Sequence, residues 1–182
     1  MAKIFSKALM MSEDVKSYLT SVRFQANNAD APVDDGSFVV LGDHVQDTTY
    51  GEGRVNPNGY FGKAPAALTD KVAVIDLPEI SEGTINGNDY KIGIKTSNLT
   101  APAGRLVRAR KLALGDKFWL GSDNFTADVG ENGFGILTAN DVRLTPAGAQ
   151  GANFAVKIID KRNLTIGQHN EGMQYLVEVV GL

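Results

Sequence analysis

Short apolar runs bounded by turn residues fill most of the chain, and few of them persist at a helical spacing. Residues 112–125, LALGDKFWLGSDNF, show this grammar most plainly. Gly115-Asp116 turns the chain, 117–120 run as a strand, and Gly121-Ser122-Asp123-Asn124 turn it again. Alternation puts Phe118 and Leu120 on one face, and Lys117 and Trp119 on the other. A strand with large apolar groups on both faces is central or lies against a partner, so Trp119 is expected to be buried. The same grammar recurs as Asp35-Gly36, a strand over 37–41, and Gly42-Asp43. Further strands are predicted over 71–75, 80–85, 90–94, 105–112, 134–137, 141–144, 154–159 and 175–180. Asn86-Gly87 is expected to join two of them as a hairpin, because both residues tolerate positive φ. The fold class is therefore all-β: a single small β-barrel or sandwich of about ten short strands, with a short N-terminal helix or arm.

Two stretches depart from that pattern. In residues 1–24, Ser12-Glu13-Asp14 is a helix-start signal, and Val15, Tyr18, Leu19 and Val22 follow at helical spacing. Ahead of it, Ile4, Phe5, Ala8, Leu9, Met10 and Met11 form an apolar segment with no partner in its own neighbourhood. It either folds back on the core or docks as an arm on another chain. The organisation expected is an N-terminal arm or short helix over 1–24 and a β-barrel domain over 25–182. The second departure is 43–70, which is rich in glycine and proline and reads as a long loop carrying Tyr60 and Phe61. Those two aromatics either plug the loop onto the barrel or contact a partner.

Composition narrows the chemistry. The chain has 182 residues, enough to bury a core without a staple, and no cysteine, which excludes disulfides, thiolate metal sites and a cysteine nucleophile. Its net charge of -3 argues against nucleic acid as the main partner. Twenty glycines favour many tight turns over long helices. No secretory signal and no membrane-spanning run is recognised, so the protein is expected to be made in a cytoplasm or assembled there. The sequons at Asn98, Asn124 and Asn163 are then read as chance. His44 and His169 lack companions at ligand spacing and are expected to be solvated loop histidines. Asp34, Asp35, Asp43 and Asp47 bracket the first clear strand without the spacing of a calcium loop, and turn formation explains them. There is no Gly-x-Ser-x-Gly elbow, and Gly62-Lys63 lacks the spacing of a phosphate-binding loop. Arg105, Arg108, Arg110 and Lys111 form the basic cluster, either a solvated strand face or a surface for an acidic protein. No catalytic, cofactor or metal residue is assigned. The candidate partner-binding residues are Ile4, Phe5, Leu9, Met10, Met11, Tyr60, Phe61, Arg108 and Arg110.

The block Asp35-Gly36-Ser37-Phe38-Val39-Val40-Leu41-Gly42-Asp43 resembles the head decoration (cement) proteins of tailed bacteriophages and related head-fibre base proteins. In those families a strand of this kind opens a small β-barrel. A second, Gly-Asp-Lys-aromatic-aromatic strand is similar to Gly115-Asp116-Lys117-Phe118-Trp119. Residues 1–25 also resemble the start of such virion proteins from phages of Gram-positive hosts. The resemblance implies a virion structural protein with no catalytic residues. It would bind the outside of the capsid shell and be assembled in the host bacterial cytoplasm. The implied partner is the major capsid protein, and further partners are a second copy of the chain or a head-fibre protein, with no nucleic acid and no membrane. The stretch 43–70 is longer than the smallest cement barrels lead one to expect. A receptor- or glycan-binding fibre domain is the alternative, with Trp119, Tyr60 and Phe61 as sugar platforms. A small β-barrel enzyme is the third reading.

Overall fold

The computed structural model describes residues 5–11, 19–47, 54–66, 72–77, 81–85, 88–92, 100–129, 133–166 and 169–182. Among them every regular element is a strand, apart from one 3-10 turn at Ser122–Asn124. The strands of the first half are β1 (Phe5–Met11), β2 (Leu19–Ala26), β3 (Ala29–Asp30), β4 (Val33–Asp34), β5 (Phe38–Asp47), β6 (Arg54–Lys63), β7 (Val72–Ile75), β8 (Ser81–Ile85) and β9 (Asn88–Ile92). Those of the second half are β10 (Thr100–Ala101), β11 (Leu106–Lys111), β12 (Lys117–Gly121), β13 (Phe134–Leu137), β14 (Leu144–Ala147), β15 (Ala155–Ile166) and β16 (His169–Gly181). The all-β fold class read from the sequence holds.

Five strands close a barrel in the order β11-β7-β5-β6-β2, and β2 returns to pair with β11. All but one of its pairings are antiparallel; β2 and β6 run parallel, with Val22 opposite Tyr60 and Phe24 opposite Gly62. Closure removes the free edges that an open sheet of this size would expose. The barrel interior is filled by Val22, Phe24, Val39, Leu41, Ala73, Ile75, Val107 and Ala109, with Val33, Leu77 and Ala101 in the same cluster. The small pair β4–β10 brings Val33 and Ala101 there.

The second layer is an open six-stranded sheet, β1-β12-β16-β15-β13-β14. Between it and the barrel lies the larger core. Phe38, Val72 and Val74 come from the outer side of barrel strands, and Phe118, Leu120, Leu137, Val156, Ile158, Tyr175 and Val177 come from the sheet. Strand β7 is buried on both faces, which is why Val-Ala-Val-Ile carries no polar position. Phe38 holds the two layers together, its ring centroid 6.4 Å from Phe118 and 5.5 Å from Phe154. Backbone bonds add to this seam, with Phe38 N–H donating to Val142 at 2.7 Å and Asn140 N–H to Pro65 at 2.8 Å.

Three expectations are corrected. The helical spacing of Leu19 and Val22 gives way to a strand, because Thr20, Val22 and Phe24 alternate inward while Leu19, Ser21, Arg23 and Gln25 face out. The helix-start signal with Val15 and Tyr18 lies outside the described residues. As β2 is a wall strand, the barrel begins ahead of position 25, and β1 pairs with β12 in the open sheet. Within the expected loop, β6 is a ten-residue strand despite Pro57 and two glycines. The strand foreseen over 141–144 begins only at Leu144, since Asn140 (φ 65°) turns the chain and Asp141 engages Arg143. The foreseen hairpin is present as β8–β9, with Ile85 opposite Asn88; Asn86 and Gly87 themselves lie outside the described residues.

Candidate functional site: the outer wall of the barrel

Strands β11, β2 and β6 lie side by side, and their register builds one outward surface. Leu106 stands opposite Arg23, which stands opposite Phe61. One step along, Arg108 faces Ser21 and Ser21 faces Gly59; further still, Arg110 faces Leu19. The candidates Phe61, Arg108 and Arg110 are thus brought onto one wall, as neighbours of residues that had not been singled out. Leu19 is 57% exposed and Leu106 38%, so the wall offers bare aliphatic surface between guanidinium groups.

Each arginine on this wall is held. Arg23 reaches Asp30, with Nε donating to Oδ1 at 2.9 Å and Nη2 to Oδ2, and its guanidinium lies 6.0 Å from the centroid of Phe61. This bonding raises the pKa of Arg23 and lowers that of Asp30, each through the side-chain hydrogen bond between them. Arg108 and Arg110 converge on Asp76, their Nε atoms 3.0 Å and 2.9 Å from Oδ2. Asp76 is fully buried, at the end of the apolar strand β7. Two cations on one carboxylate leave this part of the wall with net positive charge, and the buried anion fixes the direction of both guanidinium groups. The basic cluster is therefore neither a freely solvated face nor wholly committed inward.

Tyr60 lies elsewhere, opposite Val22 and packed against the inner core of the barrel. The His44 ring stacks 4.3 Å from it, and Lys111 Nζ sits 4.7 Å above its centroid and donates to its hydroxyl at 3.4 Å. His44 is exposed, as expected, but lies on β5 rather than in a loop, and its Nδ1 donates to the Asn56 carbonyl at 3.1 Å. Trp119 is 7% exposed, with the Arg162 guanidinium 4.1 Å from its centroid. Arg162 in turn donates twice to the buried Gln174 Oε1, at 3.2 Å and 3.1 Å. Its burial agrees with the expectation from the strand pattern and leaves little of the ring for a sugar to stack upon.

Of the remaining candidates, Phe5, Leu9, Met10 and Met11 are on β1, and Ile4 lies outside the described residues. Of the aspartates bracketing β5, Asp35 Oδ1 accepts the Leu77 N–H at 2.7 Å and Asp34 accepts the Thr100 hydroxyl. Among the described residues no three His, Asp or Glu side chains gather at a metal site. Asp76 was missed by sequence reasoning. The available signal was a carboxylate ending a wholly apolar strand in a chain that also carries Arg108-Ala109-Arg110. Comparison of the chain with family models, with curated proteins and with solved structures returned no match.

Proposed function

We propose that this protein is a structural component of a virion that binds the outer surface of the capsid shell through the β11–β2–β6 wall. The observation that carries this reading is the wall itself, with exposed Leu19 and Leu106 set among Arg23, Arg108, Arg110 and the half-buried Phe61. Such a mixture suits a partner protein with an acidic rim and an apolar centre. The partner in this proposal is the major capsid protein. Binding only the assembled lattice would stabilise it by mass action at every occupied site. Leu19→Glu and Leu106→Glu place like-signed charge against an acidic partner at positions that the fold leaves open. Each variant is expected to melt with the unmodified protein yet co-sediment with intact heads at least about tenfold more weakly, a loss of about 1.4 kcal/mol. Undiminished co-sedimentation by both folded variants overturns the assignment of the wall, and no binding of the unmodified protein to heads overturns the function.

A further inference from the structure

Arg108 and Arg110 share one counterion. Both meet Oδ2 of Asp76 through Nε, at 3.0 Å and 2.9 Å. Asp76 follows directly on β7, and its backbone N–H donates to the Arg108 carbonyl at 2.9 Å, so the carboxylate is fixed against the strand that carries both cations. Its side chain is fully buried, whereas those of Arg108 and Arg110 are 42% and 24% exposed. Among the described residues neither guanidinium pairs with a second carboxylate. Nε is the inner nitrogen of the side chain. Anchoring there leaves the terminal Nη donors of each fork for a group arriving from outside. Arg23, the other cation of the wall, is neutralised by Asp30, so the excess positive charge belongs to this pair.

Apolar side chains frame the pair at both ends. Leu106 lies two positions before Arg108 on the outward face of β11, and Leu19 stands opposite Arg110 on β2. From Leu106 to the level of Leu19 the strand runs about 13–14 Å, the distance between residues i and i+4 of an extended segment. Strand β11 is paired on both edges, with β7 and with β2. A visitor therefore meets side chains here and not a free backbone edge.

We infer that this fork seats one carboxylate side chain of the partner protein, carried in an extended segment with apolar residues two positions before and after it. The inference rests on the wall being a protein-docking surface and names what docks on its β11 side. Charge selects the class of anion. One carboxylate brings the cluster of two arginines and Asp76 to neutrality, while a phosphate dianion would add surplus negative charge beside a buried carboxylate. The flanks select its source. A chain-terminal carboxylate has residues on one side only and would leave either Leu19 or Leu106 uncovered. Because Asp76 already orients both guanidinium groups, they have little freedom left to lose when the partner arrives.

The probe is the end-blocked peptide Leu-Thr-Glu-Thr-Leu, titrated into the full chain and followed by NMR through the arginine Nε–Hε signals, a readout suited to weak binding. It should shift the Arg108 and Arg110 signals and bind at least about tenfold more tightly than Leu-Thr-Gln-Thr-Leu. Arg108→Lys and Arg110→Lys keep the charge but lose the fork, and each folded variant should bind the Glu peptide about tenfold more weakly. A peptide with phosphoserine in place of Glu should bind no more tightly than the Glu peptide. Equal binding of the Glu and Gln peptides, tighter binding of the phosphoserine peptide, or unchanged affinity in both lysine variants overturns the inference, as does the absence of a shift at the two arginines. No capsid enters the measurement. Heads that bind the protein while the peptide does not overturn this inference alone, and a peptide that binds while heads do not overturns the capsid reading alone.

Discussion

A methyl group added at position 62 would stand 2.3 Å from Val22 Cγ1, inside the barrel where β6 runs parallel to β2. The glycine is there because the interior has no room for a side chain at that point. Gly62→Ala is expected to lower stability by about 1–3 kcal/mol in urea unfolding, through overpacking. Gly148→Ala, where an added Cβ meets nothing within 4 Å, serves as the comparison and should change little. A second residue-scale prediction concerns Tyr175. Its hydroxyl donates to Asp128 Oδ1 at 2.7 Å. Burial first, and then the Asp128 hydrogen bond, push its pKa from 10.0 up to about 12. The folded protein keeps this proton where the unfolded chain has lost it. The resulting stabilisation is complete below the unfolded value of 10.0 and is lost as pH rises toward about 12. Tyr175→Phe should be less stable than the parent at neutral pH by about 1 kcal/mol, for the lost hydrogen bond. Through that alkaline window its urea midpoint should fall less than the parent's, and parallel falls in the two proteins would count against the assignment.

At the scale of elements, the turn between β2 and β3 shows how local chemistry sets a register. Asn27 (φ 52°) and Asn28 (φ 62°) both adopt left-handed backbone, and Ala26 pairs directly with Ala29. That is the two-residue hairpin geometry matching strand twist, and asparagine is among the few residues that tolerate it. Asn28→Val should cost about 1–2 kcal/mol, while Asn28→Gly should be close to neutral; equal melting temperatures for all three proteins would falsify this reading. The Asn27-Asn28 pair between two runs is itself a turn signal that the sequence carries. Elements with a clear period of two were read well: Phe118 and Leu120 point into the core between the layers, and Trp119 lies on the opposite face, as alternation requires. Strand β6 was not legible, because Pro57, Gly59 and Gly62 are turn residues by composition, and the reason for Gly62 lies on a strand 40 positions away. The N-terminal helix misled for a related reason. Leu19 and Val22, three apart, fit one face of a helix, whereas Thr20, Val22 and Phe24 fit one face of a strand, and only closure against β11 and β6 decides between them. Of the candidate site, Phe61, Arg108 and Arg110 were found as residue types, but the register that sets them beside Leu19 and Leu106 is a property of the closed barrel.

For the whole molecule, the two layers share one core, so they are expected to unfold together. Phe38 leaves a barrel strand to pack on Phe118 and Phe154 of the other layer. Phe38→Ala should destabilise by about 3–5 kcal/mol. In the unmodified protein, Trp119 fluorescence, which reports the open sheet, should change at the same denaturant concentration as far-ultraviolet circular dichroism, which reports both layers. Separate midpoints would show two independently stable halves. The closure of the barrel has a further consequence during synthesis. Val22 pairs with Val107, 85 positions later in the chain. At about 5–20 residues per second, the ribosome needs roughly 4–17 s to deliver that second strand. Throughout that interval β2 has been made but β11, the partner that closes the barrel, has not. The nascent chain must therefore carry β2 with an open edge past the exit tunnel, and its folding yield is expected to fall when translation is paused before position 107.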